Sequence, residues 1–129
     1  MTLIDTSAWI EFFRRKGDAS VKSRVKDILL NGEAAYTCAI RYVLILGAFP
    51  QEIADLNRGL ECSRRIIVTP DHWDIASRLG AELRLKGLSF PAIDLLIATV
   101  ASAEKISLLT CDTHFNTIRD QVLPDLQLD

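Results

Sequence analysis

Three aspartates, Asp5, Asp94 and Asp112, have positions in the sequence that favour a shared chemical site. Asp5 and Asp112 each come just after a short apolar run, and Asp94 lies near the start of an apolar helical segment. Carboxylates that meet repel one another at neutral pH, unless a cation lies between them or a pKa rises. Oxygen ligands suit Mg²⁺ or Mn²⁺, and such an ion held by carboxylates can activate water against a phosphodiester. The three aspartates therefore predict a metal-dependent hydrolytic site.

Each aspartate also has a purely structural alternative. Asp5 can form an Asx-turn or cap a helix, Asp94 can complement a helix dipole, and Asp112 can cap the last helix. Asp94 is the most informative of the three, because it lies between Ile93 and Leu95 in a helix whose pattern predicts burial. A lone carboxylate in such a place is costly, which favours a functional role.

Short strands alternate with helices along the chain, and these elements must position the aspartates. We predict strands at residues 3–4, 34–37, 66–68 and 107–109, and helices at residues 8–13, 18–30, 40–48, 51–61, 69–86 and from 91 onward. This alternation predicts an α/β fold, a three-layer α/β/α sandwich with a central parallel sheet. Ligands bind outside the carboxyl ends of parallel strands, so Asp5 and Asp112 are expected at the same edge.

Length, charge and cysteine content limit the possible classes of protein. The 129 residues fit a single domain, residues 1–129, and the net charge of −2 argues against coating nucleic acid by charge alone. No apolar run approaches the about 20 residues that span a bilayer, and the first residues do not resemble a signal peptide. The three cysteines form no CxxC pair, which favours reduced thiols and a cytoplasmic location.

Three segments resemble the motifs of PIN domains, and more narrowly of the VapC toxins of bacterial toxin–antitoxin pairs. They are residues 3–10 (Leu-Ile-Asp-Thr-Ser-Ala-Trp-Ile), 90–98 (Phe-Pro-Ala-Ile-Asp-Leu-Leu-Ile-Ala) and 108–115 (Leu-Leu-Thr-Cys-Asp-Thr-His-Phe). The resemblance covers nearly the whole chain, and the three motifs are specific in this order and at these separations. It implies a PIN-like three-layer fold, Mg²⁺- or Mn²⁺-dependent cleavage of RNA, a homodimer and a cognate antitoxin.

The same resemblance implies roles for particular residues. Asp5, Asp94 and Asp112 fall on the catalytic, metal-binding acidic positions. Thr6 and Thr110 fall on flanking polar positions that often support the acidic cluster, although Thr6 can instead serve only the turn after Asp5. We therefore predict that the three aspartates bind the ion and that the two threonines support them.

One expected carboxylate is missing. The family carries a glutamate four residues before a Gly-Ala pair, and here Val43 stands at that distance from Gly47. Neither Glu33 nor Glu52 has a helical spacing that would replace it, and Val43 is expected to be a core residue of its helix. Loss of a ligand predicts weaker metal binding and impaired cleavage. The alternative is a catalytically inactive variant that binds an antitoxin or RNA.

Other classes of site fit less well. Phosphatases of the haloacid-dehalogenase type need a second aspartate two residues after the first, where this chain has Ser7. No glycine-rich phosphate-binding loop is present, and His72 and His114 lack metal-ligand spacing, which predicts surface or capping roles for both. Large apolar side chains crowd residues 9–13 and 42–46, which favours either core packing or contact with another protein.

Overall fold

The central sheet has four parallel strands in a computed structural model that describes residues 1–129. The strands are β1 (Thr2–Ile4), β2 (Ala34–Thr37), β3 (Arg64–Ile66) and β4 (Ser107–Leu109), and their order across the sheet is β3-β2-β1-β4. Leu3 of β1 pairs with Ala35 on one side and with Leu108 on the other. This register confirms the predicted parallel sheet and makes β1 a central strand.

Seven helices connect and cover the strands: α1 (Thr6–Phe13), α2 (Ala19–Leu30), α3 (Cys38–Gly47), α4 (Ile53–Glu61), α5 (Pro70–Leu85), α6 (Ala92–Ala103) and α7 (His114–Val122). The chain moves one strand outward twice, from β1 to β2 to β3, and then crosses back to β4. Parallel crossovers are right-handed, so this reversal places α1–α4 on one face and α5 and α6 on the other. The predicted three-layer α/β fold is confirmed.

Capping side chains and a glycine mark the ends of two helices. The Asp18 carboxylate accepts a hydrogen bond from the Val21 N–H at 3.0 Å, and the Thr69 hydroxyl accepts one from the His72 N–H at 3.4 Å. These side chains satisfy N–H groups that a helix start would otherwise leave unpaired. Gly87 ends the turn after α5 with φ +78°, a conformation that favours glycine. Capping signals thus place these ends as predicted.

The core lies against β1 and β4 and along α6. The side chains of β1 are buried at all three positions, and α6 is buried without interruption from residue 95 to residue 101. A helix of this kind has no solvated stripe near its middle, as its apolar sequence predicts. Only its ends approach the surface, and Asp94 lies at one of them. No helix is both long and apolar enough to span a membrane.

Two predicted elements need correction. The third strand covers Arg64–Ile66 rather than residues 66–68, and it is an edge strand with Arg64 and Arg65 exposed and Ile67 59% exposed. Its register is set by pairing with β2, where Thr37 lies opposite Ile66, so the apolar run extends beyond the strand. The helix predicted over residues 51–61 begins instead as a 3₁₀ turn, Pro50–Glu52, before α4.

Candidate metal centre

The predicted site lies where the direction of the crossovers changes, between β1 and β4. Asp5 directly follows β1, and Asp112 comes three residues after the end of β4. The Asp5 N–H donates to the Leu109 carbonyl oxygen at 2.9 Å, which joins the two strand ends. Crevices at such switch points are the usual ligand sites of parallel sheets. The strand-end rule therefore places Asp5 and Asp112 at one edge of the sheet, as expected.

The Asp5 carboxylate is held in one orientation by two hydroxyl groups. Its side chain is buried, and its Oδ2 atom accepts hydrogen bonds from Ser7 Oγ at 2.8 Å and from Thr110 Oγ1 at 2.9 Å. Both bonds use the same oxygen, which leaves Oδ1 without a hydrogen-bond partner in the chain. A buried carboxylate with one free oxygen can bind a cation at that oxygen.

The same hydroxyl groups also connect the two loops of the site. Ser7 Oγ accepts the Cys111 N–H at 2.9 Å, and Thr110 Oγ1 accepts the Asp112 N–H at 3.0 Å. Thr110 thus contacts both the Asp5 carboxylate and the backbone of Asp112. Sequence reasoning missed Ser7, and the available signal was its position two residues after Asp5, since hydroxyls often bond a nearby carboxylate in a turn.

Asp94 and Asp112 converge on a histidine. His114 Nδ1 lies 3.4 Å from Asp94 Oδ2 and 3.3 Å from Asp112 Oδ1. One ligand atom from each of the three residues lies within 4.8 Å of the others. Asp94 comes from the first turn of α6, whereas His114 is the first residue of α7. Two elements distant in sequence thus meet at a single cluster.

The two histidines have different surroundings. His72 Nδ1 accepts the Thr69 N–H at 3.0 Å, so His72 completes the cap of α5 as expected. His114 is exposed at the start of α7, as expected, but its ring also contacts the two carboxylates, a role that was not predicted. Its sequence distance of 20 residues from Asp94 gave no metal-ligand spacing, so only the fold reveals the contact.

The charges of the cluster act on one another. Burial raises the pKa of Asp94 above its ordinary value, a hydrogen bond with His114 opposes this, and the nearby charges of Asp5 and Asp112 raise the pKa further. Neither Asp94 nor Asp112 has an ion pair with lysine or arginine, and His114 is the basic group that contacts both. The cluster therefore retains negative charge that a cation would compensate.

Val43 and Thr6 line one groove, and Thr6 directly follows Asp5 in the chain. This groove, of about 340 Å³, lies between α1, α3 and α4, and Ile10 and Leu56 also line it. The expectation that Val43 is a core residue is wrong: Val43 is only partly buried, because its side chain faces the groove. Thr6 makes no side-chain hydrogen bond to Asp5, so the geometry gives its predicted supporting role no direct contact.

No other acid takes the place of the missing glutamate. Glu52 lines the same groove, but its Oε1 atom accepts the Phe49 N–H at 3.2 Å across the 3₁₀ turn. Its carboxylate is therefore used in holding that turn. The cluster offers two carboxylates and an imidazole, with the charge of Asp5 nearby and no ion pair to lysine or arginine, and these donors fit Mg²⁺ or Mn²⁺.

The profile of the PIN domain family matches residues 2–121, and the chain belongs to this family. Among solved structures, the chain superposes on VapBC2 from Rickettsia felis, bound to a DNA fragment from their promoter, with a TM-score of 0.79 and 22% identity, covering 99% of this chain and 96% of that one. Curated protein sequences include no significant match.

Two further solved structures share the fold. A toxin–antitoxin complex from Klebsiella pneumoniae matches with a TM-score of 0.73 and 18% identity, covering 98% of this chain and 95% of that one. VapC20 of Mycobacterium tuberculosis, described as a Sarcin-Ricin loop cleaving toxin, matches with a TM-score of 0.67 and 17% identity, covering 91% and 94%. At these identities the likeness establishes the fold.

Proposed function

We propose that this chain is the toxin component of a type II toxin–antitoxin system, a metal-dependent endoribonuclease that hydrolyses RNA phosphodiester bonds. The observation that carries this proposal is the convergence of Asp94 and Asp112 beside Asp5 at the switch point of a PIN-family fold. The cleaving toxin that shares the fold supports the same class of activity. The three aspartates are the proposed catalytic and metal-binding residues.

Each residue has a distinct part in this proposal. Asp5 offers Oδ1 while Ser7 and Thr110 fix its other oxygen, and Asp94 and Asp112 supply carboxylates from the facing elements. A bound Mg²⁺ or Mn²⁺ would lower the pKa of a coordinated water and neutralise charge that develops on the phosphate. The raised pKa of Asp94 means that the cluster binds a proton more readily than an ordinary aspartate, and a cation competes with this proton.

The presence of valine at position 43 favours impaired rather than full RNA cleavage. At this position the groove receives two methyl groups instead of a carboxylate, which removes a donor beside Thr6. Loss of a supporting residue alone commonly costs about 10–100-fold in metal affinity or activity, so loss of a ligand costs at least as much. The second candidate function, an inactive variant that binds antitoxin or RNA, rests on this same residue.

The substitution Val43→Glu tests the nuclease proposal. We expect Val43→Glu to raise Mg²⁺- or Mn²⁺-dependent RNA cleavage by at least about tenfold over the native chain, because a fourth carboxylate completes the site. The matched control is Val43→Gln, which has the same length without the charge and should give little gain. Addition of a chelator should abolish the activity of the Val43→Glu variant.

The outcomes separate the candidate functions. A Val43→Glu variant that folds but neither binds metal nor cleaves RNA contradicts the nuclease proposal. A native chain that binds RNA or antitoxin without measurable cleavage, beside an active Val43→Glu variant, identifies the inactive binding module. Full activity in the native chain would contradict our account of the missing carboxylate.

The proposed partners are RNA, a cognate antitoxin and a second copy of the chain in the cytoplasm. Tyr42, Leu46 and Phe49 form an exposed apolar face on and after α3, with exposures of 64%, 72% and 67%. Such a face favours protein contact, and toxin–antitoxin complexes share the fold. Light scattering of the native chain and of Leu46→Glu, with and without antitoxin, would test whether this face mediates either association.

A further inference from the structure

We propose that His114 binds the same divalent ion as Asp94 and Asp112 through its Nδ1 atom, and that this nitrogen makes the site prefer Mn²⁺ over Mg²⁺. The inference rests on the proposed metal-dependent function and extends it to the identity of the ion. Its basis is the geometry of the cluster, in which two carboxylate oxygens and one imidazole nitrogen lie within 4.8 Å of one another.

The distances in the cluster suit a shared ion better than direct hydrogen bonds. His114 Nδ1 lies 3.4 Å from Asp94 Oδ2 and 3.3 Å from Asp112 Oδ1. Charge-assisted N–H···O bonds are usually about 2.7–2.9 Å long, so these contacts are loose. Two donors bound to one ion at about 2.1 Å lie roughly 3.0–3.4 Å apart, which is the spacing observed.

The surrounding contacts hold the imidazole in this place. The His114 ring packs against Phe90 in a T-shaped arrangement, with ring centroids 5.3 Å apart and an interplanar angle of 64°. The backbone N–H of His114 donates to Asp112 Oδ1 at 2.9 Å, so the two residues are fixed relative to each other without use of the ring. Nδ1 contacts only the two carboxylates, so a cation that displaces its proton would meet all three groups.

A nitrogen ligand has a chemical consequence for the choice of ion. Mg²⁺ prefers oxygen donors, whereas imidazole binds transition ions well and binds Mg²⁺ poorly. Because Val43 provides no carboxylate, His114 would raise the number of side-chain ligands from three to four. The site would thus retain a transition ion despite the lost glutamate.

Pulsed electron paramagnetic resonance of bound Mn²⁺ tests this inference directly. Nuclear modulation from a coordinated imidazole nitrogen should appear in the native chain and disappear in His114→Gln. The chain has only one other histidine, His72, which lies near Glu104 at the opposite end of α6, about 15 Å along that helix from Asp94. A nitrogen signal from bound Mn²⁺ therefore identifies His114.

Affinity measurements on the same proteins provide a second readout. His114→Gln should weaken Mn²⁺ binding by at least about tenfold, while Mg²⁺ binding changes by less than about threefold. The variant His114→Asp replaces nitrogen by oxygen and should shift the preference toward Mg²⁺. Circular dichroism and thermal unfolding of each variant establish that it is folded before its affinities are compared.

The outcomes distinguish the role of His114 as a ligand from the proposed metal-dependent function. Mn²⁺ that binds with no nitrogen modulation, and with equal affinity in His114→Gln, overturns the role of His114 and leaves the metal-dependent function intact. Absence of Mn²⁺ binding to both the native chain and the Val43→Glu variant overturns the proposed function, and the inference with it.

Discussion

The orientation of Asp5 depends on two hydroxyl groups, which allows a test of individual residues. Removing the hydroxyl in Ser7→Ala frees Asp5 Oδ2 on one side and also takes an acceptor from the Cys111 N–H. Cys111 is exposed, so water can replace that second bond and the fold should be little affected. We expect Mn²⁺ affinity to fall by about 10–100-fold in calorimetric titration.

Ser102→Ala is the matched control for Ser7→Ala, because Ser102 lies near the other end of α6 and makes no side-chain hydrogen bond in the chain. It should leave metal affinity unchanged. Equal affinities of Ser7→Ala and the native chain would show that the hydroxyl does not orient the carboxylate.

The raised pKa of Asp94 predicts a stability cost that a neutral residue removes. At pH values between the ordinary aspartate pKa and the raised one, the Asp94 carboxyl holds a proton in the folded chain that it has released in the unfolded chain. Stability therefore falls as pH rises through this window. Without metal at pH 7, Asp94→Asn should therefore be more stable than the native chain.

Thermal unfolding at several pH values checks the Asp94→Asn prediction. The difference between the two proteins should shrink as pH falls from the raised pKa of Asp94 to the ordinary aspartate value, and addition of Mn²⁺ should stabilise the native chain more than the variant. A variant less stable than the native chain at neutral pH without metal would contradict repulsion within the cluster.

At the residue scale, sequence located the aspartates better than their partners. Asp5 and Asp112 could be placed because each follows a strand whose end was recognisable. Ser7 and His114 were missed as partners of the acids, since their contacts depend on how loops from β1, β4 and α6 meet. The position of Val43 in the groove was likewise set by packing between helices.

At the element scale, the turn between α1 and α2 requires a residue without a side chain. A Cβ atom at Gly17 would lie 1.9 Å from the Glu11 carbonyl oxygen, a backbone atom that cannot move without disturbing α1. Gly17→Ala should therefore destabilise the fold by about 2–3 kcal/mol, measured by denaturant unfolding.

The control for the Gly17 substitution is Gly47→Ala. Gly47 is the last residue of α3, and a Cβ atom there meets nothing within 4 Å. Alanine favours the helix, so this variant should match the native stability or exceed it by up to about 1 kcal/mol. Equal stability of both variants would show that the turn relaxes without cost.

Element boundaries were predictable where a cap or a glycine marks them. Asp18 and Thr69 begin their helices as expected, and Gly87 follows the end of α5. β3 was misplaced because its edge position depends on pairing with β2, which an apolar run does not specify. Pairing between distant segments is a tertiary property, so it overrides the local pattern.

At the scale of the whole molecule, the C-terminal residues pack back onto the sheet and α2. Leu128 forms a parallel bridge with Leu108 of β4. Arg24 of α2 donates two hydrogen bonds to the Asp129 carboxylate, at 2.9 and 2.6 Å. The hydrogen bond from Arg24 holds the pKa of Asp129 below its ordinary value of 3.8. The pair therefore stabilises the fold above that value, and the contribution is lost as pH falls through the lower, folded pKa.

The substitution Asp129→Asn tests how much the Arg24–Asp129 pair contributes to stability. It should lower Tm modestly at neutral pH, and the difference from the native chain should vanish in acid once the native carboxyl is protonated. Because the pair is partly exposed, added salt should also reduce the effect. A difference in Tm that persists unchanged in strong acid would assign the effect to packing rather than to charge.

The class of fold could be predicted from the order of strands and helices, since their alternation allows few parallel arrangements. The sheet order β3-β2-β1-β4 was not predicted, although it decides which strand ends face one another. It places β1 next to β4 and so brings Asp5 near Asp112, which lie more than 100 residues apart in the chain.

The most direct test of the metal site is a crystal of the native chain soaked in Mn²⁺ and measured for anomalous scattering. We expect one strong peak within bonding distance of Asp5 Oδ1, Asp94 and Asp112, at the carboxyl ends of β1 and β4. A peak elsewhere, or none at millimolar Mn²⁺ with these three side chains well ordered, would contradict the proposal that they share a cation.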